Sequence, residues 1–296
     1  MLSSQKALVL VFFLLIGFSA ILYINSLSGA FVWDDDSFIA NNEWIKDTEN
    51  AGIFFTPQYW EHHHPGAKGR YRPLRTLSFL ANYYLGELNP YGYHLLNLIF
   101  HVFNALLVFL LARIIIGNHW GALGAGLIFA AHPVNTEAVA WIKNRAELYA
   151  LFFFLLSYLL VIKSVCDFKK QVSRGLLYAC GVLSYLLALM SKETALTLPL
   201  ILLFHGALLI GPSNRKSLFL KTVPFLIITA CFFAYIVWGS GEENTSLQAS
   251  PSNALVHLYV IGKTYFAYGA SLFFPINLHA DRSLPFPQST PVGGLV

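Results

Sequence analysis

The sequence predicts an all-α fold, a polytopic membrane helix bundle of about eight transmembrane or interfacial helices with one large external loop. Two observations predict it. Of 296 residues, 56% are hydrophobic and 16% aromatic while only 11% are charged, against roughly 25% charged in a soluble domain. The apolar residues also gather in runs close to the ~20 needed to cross a ~30 Å hydrocarbon layer. No soluble catalytic domain is left over.

The first run, 7–25, follows Lys6 and has no small-residue cleavage site behind it, which reads as an uncleaved signal anchor. Residues 26–92 form the one sizeable hydrophilic stretch, the first external loop. Further runs follow at 93–116, 121–131, 146–162, 175–190, 195–210, 222–238 and 255–274. The run 121–131 is too short to span and meets His132-Pro133, so it is a helix broken by proline or one that stops below the outer surface. The last run is interrupted by Lys263 and leads to a Pro-rich tail, 284–296, with no final anchor. A fragment or shortened member of a longer family is expected.

Charge sets the topology. Lys6, Arg113, Lys163, Lys169, Lys170, Arg174, Arg215, Lys216 and Lys221 fall in alternate gaps, which makes that side cytoplasmic. Almost every carboxylate falls on the other side, so chemistry that needs carboxylates belongs there. The formal charge of +4 is scattered and indicates no nucleic-acid partner. Cys166, Cys180 and Cys231 have no metal-type spacing, so neither a disulfide framework nor a zinc site follows.

Several polar motifs interrupt the apolar background. Asp34, Asp35 and Asp36 follow Phe31-Val32-Trp33 at the membrane surface. Like charges so close raise the pKa of one member unless a cation compensates, which suits general-base work or a divalent ion, although a solvated acidic cap has the same composition. Arg72 and Arg75 offer guanidinium forks for phosphate, or else snorkel to headgroups. His94, Asn97 and His101 share one helical face, fit either for helix–helix hydrogen bonding or for function. The stretch 132–147 holds His132, Glu137, Arg145 and Glu147, as a site or as a salt-bridge network. Lys192-Glu193 is an ion pair or a phosphate contact at a membrane boundary.

In this order Phe-Val-Trp-Asp-Asp (31–35), Tyr-Arg-Pro-Leu (71–74), Tyr-His-Leu-Leu-Asn (93–97), His-Pro-Val-Asn-Thr-Glu-Ala-Val (132–139), Asn-Arg-Ala-Glu (144–147) and Ser-Lys-Glu-Thr (191–194) resemble the membrane part of the transmembrane and tetratricopeptide-repeat-containing O-mannosyltransferases. The resemblance covers about residues 7–283 and implies a GT-C glycosyltransferase fold over 1–283, although the tetratricopeptide repeats of that family are absent from this chain. It implies transfer of a sugar, mannose by the family's name, from a polyprenyl- or dolichyl-phosphate carrier to protein Ser/Thr hydroxyls at the external or lumenal face. The membrane would be the plasma membrane in a bacterium and the endoplasmic reticulum in a eukaryote.

The catalytic acid implied is Asp34 or Asp35, with Arg72, Arg145 and Lys192 as candidates for the donor phosphate. His94, His132, Glu137, Glu147 and Glu193 would line the substrate pocket. No cofactor follows with certainty, and Asp36 with His62, His63 and His64 offers weak ligands for a divalent metal. Two other classes compete: a transporter or flippase for lipid-linked substrates, which places its charges near the midplane, and a noncatalytic membrane scaffold.

Overall fold

The computed structural model describes residues 4–56, 59–60, 71–166, 171–239, 251–276 and 278. Among them there are α-helices and short 3-10 and π turns but no strand. Each apolar run of the sequence is a helix. In chain order these are α1 (Ser4–Tyr23), α2 (Pro73–Gly86), α3 (Pro90–Ile116), α4 (His119–Ala131), α5 (Asn135–Ala140), α6 (Arg145–Cys166), α7 (Gln171–Ser191), α8 (Leu198–Leu208), α9 (Pro212–Gly239) and α10 (Pro251–Phe273). Among the described residues five spans are long and apolar enough to cross a membrane: Leu8–Ser28, Pro90–Ile116, Ile142–Cys166, Arg174–Ser191 and Pro212–Ile236. This is a multi-pass membrane protein.

Local chemistry sets the helix ends. The Asn89 side chain accepts from the Tyr91 amide and Pro90 occupies the first turn of α3, where its missing N–H costs nothing. Gly117, at φ 72°, closes α3 in a left-handed conformation that suits glycine. One residue later Asn118 caps α4 through the Trp120 amide. As expected, α4 is short and stops before Pro133, because the residue before a proline is pushed out of helical geometry.

Besides a small one of Tyr23, Leu98, Val139 and Leu148, three apolar clusters hold the described residues together. One joins α1 to α3 and α4 through Val11, Leu15, Phe109, Ala122 and Leu123. A second joins α6, α7, α8 and α9 around Val161, Tyr185, Leu189, Leu202 and Phe225. The third corrects the expectation of a hydrophilic loop at 26–92. Phe38, Ile39, Ile45, Phe54, Tyr59 and Trp60 pack on Phe79 and Leu80 of α2 and on Tyr93 and Ile142. The described part of this loop is thus a small aromatic-cored cap laid over the bundle, with α2 as its floor.

The His94, Asn97 and His101 stripe faces inward, and Asn104 extends it. Asn97 donates to the carbonyls of Val139 and Trp141, the His101 ring N–H to Ala130, and Asn104 to Leu148. The stripe therefore satisfies backbone carbonyls where α4, α5 and α6 end or begin. His94 packs against the backbone of Gly29, where a Cβ would sit 2.8 Å from its ring nitrogen.

Helices α6 and α7 approach closely at Gly181, where a Cβ would sit 2.9 Å from Val161 Cγ2 and 3.4 Å from the Ser157 carbonyl. Ser157 Oγ donates to the Gly181 carbonyl at 2.6 Å. Gly181→Ile is expected to cost about 1–3 kcal/mol by overpacking, read as a lower Tm in detergent. Gly124→Ile, which meets nothing within 4 Å, should leave Tm unchanged, and equal losses at both positions would contradict this packing.

Candidate active site

The site is built on the polar link between α4 and α6. After α4 ends, Asn135 turns the chain by donating to the Phe129 carbonyl. The link then passes through α5 and a 3-10 turn, Ile142–Asn144, into α6. Within 143–147, four side chains each engage a different element.

Arg145 is fully buried. Its Nε donates to Asn97 Oδ1 at 2.8 Å, one terminal nitrogen to Ser78 Oγ at 2.9 Å and Asn82 Oδ1 at 2.7 Å, and the other to the Tyr93 carbonyl at 2.8 Å. The guanidinium also lies over the rings of Phe79 and Tyr93. This corrects its assignment as a donor-phosphate contact. A guanidinium with every nitrogen engaged and no exposed surface is a structural clamp between α2, α3 and α6.

Lys143 reaches the cap. Its amide donates to Asp35 Oδ1 at 2.9 Å, and its ammonium pairs with Asp34 Oδ2 between the rings of Phe38 and Trp141. The two aspartates therefore differ sharply. Asp35 is fully buried, its second oxygen accepting from the Val32 amide. Burial raises its pKa, and the two backbone donors and the charges of Lys143 and Arg145 only partly oppose this. One aspartate of the triplet was expected to be raised by like charge; for Asp35 the raising cause is burial. Asp34 keeps half of its side-chain surface exposed. It follows Trp33, a non-glycine residue at φ 52° that contacts Trp141 edge-on at 5.1 Å. Strained backbone of this kind persists where surrounding structure over-determines it, often at functional sites. The π turn Asp36–Ala40 follows directly, another geometry frequent at such sites.

Asn144 donates to Glu137 at 2.7 Å, and Glu147 pairs with Lys192. The neighbouring Glu193 pairs with Arg72 at 2.8 Å. Burial works to raise the Glu193 carboxyl, but Arg72 chiefly, with a backbone donor and Lys192, outweighs it and holds the group below its usual range. Arg72 and Lys192, expected to hold phosphate, are therefore both paired with carboxylates. Beside them opens a cleft of about 520 Å³ lined by Glu137, Asn144, Glu147, Leu148, Thr194 and Tyr268. His132 and Glu193 are not among the cleft's lining residues. The His132 ring N–H instead donates to the Leu272 carbonyl and tethers α10, while its other ring nitrogen accepts from the Val134 amide. His94, also expected in the pocket, is buried in the helix contact already described.

Asp36 is exposed, and His62, His63 and His64 lie outside the described residues. Among those described, no group of three or more His, Cys, Asp or Glu could hold a metal ion. Lys143, Asn144, Thr194 and Tyr268 are site residues that sequence reasoning did not single out. Lys143 and Asn144 lay within the polar stretch it flagged and Thr194 within the Ser-Lys-Glu-Thr motif, but Tyr268 carries no local signal.

No family model matches the chain, and no solved structure matches it significantly. Curated relatives do. The chain is 42% identical over 173 residues to human protein O-mannosyl-transferase TMTC2, covering 55% of this chain and 20% of the relative. It is 37% identical over 182 residues to Drosophila melanogaster protein O-mannosyl-transferase Tmtc1, covering 60% and 20%. It is 30% identical over 281 residues to Caenorhabditis elegans protein O-mannosyl-transferase F38B6.6, covering 92% and 39%. The chain thus spans about a fifth of the length of the human and fly proteins.

Asp35 generates a pH prediction. Its folded pKa lies above its unfolded value, so between the two the folded chain binds more protons and stability falls as pH rises. The stability of wild type relative to Asp35→Asn should decline from about pH 4, the ordinary carboxylate value, and level off above the raised pKa. Unfolding measured in parallel across pH checks this, and a difference that rises with pH would contradict it.

Proposed function

We propose that this chain, TMTC-like in its motif order and in its relatives, forms the membrane catalytic part of a protein glycosyltransferase. It moves a sugar, mannose by the relatives' names, from a polyprenyl- or dolichyl-phosphate carrier to a Ser or Thr hydroxyl at the external or lumenal membrane face. In a eukaryote that membrane is the endoplasmic reticulum, in a bacterium the plasma membrane.

The observation that carries this reading is Asp34, a half-exposed carboxylate at the membrane surface, presented by strained backbone and flanked by a lysine. As the general base, Asp34 takes the proton of the acceptor hydroxyl as its oxygen attacks the anomeric carbon. The bond from that carbon to the carrier phosphate breaks with inversion, and the phosphate leaves with the bonding electrons. Lys143, paired with Asp34, holds its carboxylate aimed. Asp35, engaged by the Val32 and Lys143 amides, positions the turn and is not the base.

The leaving phosphate needs cations. Arg72 and Lys192 supply them, exchanging Glu193 and Glu147 for the donor when it binds. The two carboxylates keep the empty site neutral and so discourage other anions. The cleft between α6 and the 193–197 turn offers Glu137, Asn144 and Thr194 as hydrogen-bonding groups for a sugar or an acceptor backbone. A transporter reading gains no support from this arrangement, because the paired charges collect at one end of the helices.

The test is transfer from a polyprenyl-phosphate-mannose donor to a peptide acceptor by the full chain in lipid nanodiscs. Asp34→Asn should lower turnover by about 10²–10⁴-fold without changing Tm, whereas Asp35→Asn should change stability as well. Wild-type transfer by Asp34→Asn would sink the assignment.

A further inference from the structure

At the end of the bundle opposite Asp34 lies a second cavity, of about 640 Å³, between the C-terminal ends of α3 and α6. Both helices start at the active-site end, where Asn97 meets Arg145. Roughly 27 Å of helix, at 1.5 Å per residue, separates Arg145 from Lys163, about the thickness of the hydrocarbon layer. The cavity therefore sits at headgroup depth on the far side.

Its lining divides into two chemistries. Leu110, Ile114, Leu159 and Ile162 form apolar walls, while Arg113 and Lys163 supply two cations. The walls continue onto Ile114, Ile115 and Ile116, each about half exposed, a surface suited to acyl chains. Cations in the last turn of a helix often serve its own carbonyls, but at α6 that task is done by other residues. Arg174 donates to the Ser164 and Val165 carbonyls, and Lys221 donates to the carbonyl and hydroxyl of Ser164. Among the described residues, neither Arg113 nor Lys163 is in an ion pair.

We infer that this cavity is a binding site for an anionic phospholipid. Arg113 and Lys163 hold the phosphate, and the apolar walls take the first part of an acyl chain. Basic pockets between membrane helices serve anionic headgroups in this way. A water-soluble phosphate would leave the apolar walls unused, and a zwitterionic lipid would leave the cations uncompensated. The site is distinct from the proposed donor site, since it lies at the other end of the helices and has a different cation set.

The experiment is native mass spectrometry of the purified, delipidated full chain titrated with phosphatidylglycerol or phosphatidylcholine. Wild type should retain one phosphatidylglycerol about fivefold or more tightly than phosphatidylcholine. The Arg113→Gln/Lys163→Gln variant should lose that preference, while Arg113→Lys, which keeps the charge, and Arg215→Gln, a cation elsewhere on α9, should keep it. A preference that survives the double substitution would overturn the proposal. So would its absence from wild type, its loss in Arg113→Lys, or displacement of the lipid by glycerol 3-phosphate at equal concentration.

Discussion

Burial of the Arg145 guanidinium is the constraint on which the rest of the site depends. Taking an unpaired charge out of water costs several kcal/mol unless all of its donors are met. Here they are met by neutral oxygens from two helices: Ser78 and Asn82 of α2, and Asn97 and the Tyr93 carbonyl of α3. Those groups satisfy the charge only when the cap helix α2 and the spanning helix α3 occupy one arrangement around the start of α6. Fixing the start of α6 fixes Lys143, Asn144 and Glu147 on either side of it, and through them Asp34, Asp35, Glu137 and Lys192. A clamp in the interior thus sets the geometry of groups at the surface.

The pairing of charges follows the same economy. Asp34 with Lys143, Glu147 with Lys192 and Glu193 with Arg72 form three ion pairs at the membrane boundary, where unpaired charge is expensive. Pairs of this kind can exchange partners at small cost when a ligand brings equivalent charge. Under the proposed function the donor phosphate is such a ligand, and the acceptor hydroxyl competes with Lys143 for Asp34. The buried Asp35 takes no part in that exchange. Its contact with the Lys143 amide ties the first loop to a link more than a hundred residues away, so Asp34 and Asp35 are neighbours in sequence with opposite environments.

Much of the fold was legible in the residues. Each apolar run is a helix, α4 stops at His132-Pro133, and the spacing of His94, Asn97 and His101 put them on a buried face. Periodicity and proline chemistry are local, and local signals survive folding. The cap was misread because its aromatics alternate with polar residues and follow no helical period until Pro73 starts α2. The roles within the site were less legible. Choosing between Asp34 and Asp35 requires the Lys143 amide, and demoting Arg145 from phosphate ligand to clamp requires partners from two other helices. His132 looked like a pocket residue until its bond to Leu272 placed it as a tether. None of these pairings has a sequence spacing that marks it.

The central claim, that Arg145 organises the site from within and does not touch the donor, is tested most directly by Arg145→Lys. Lysine retains the charge but cannot reproduce the planar fork, so groups on α2 and α3 lose their donor. The account predicts a loss of about 3 kcal/mol or more in stability, measured by thermal unfolding in nanodiscs, together with a fall in kcat. A variant of wild-type Tm whose sole defect is a raised KM for the lipid-phosphate donor would contradict it and return Arg145 to the phosphate.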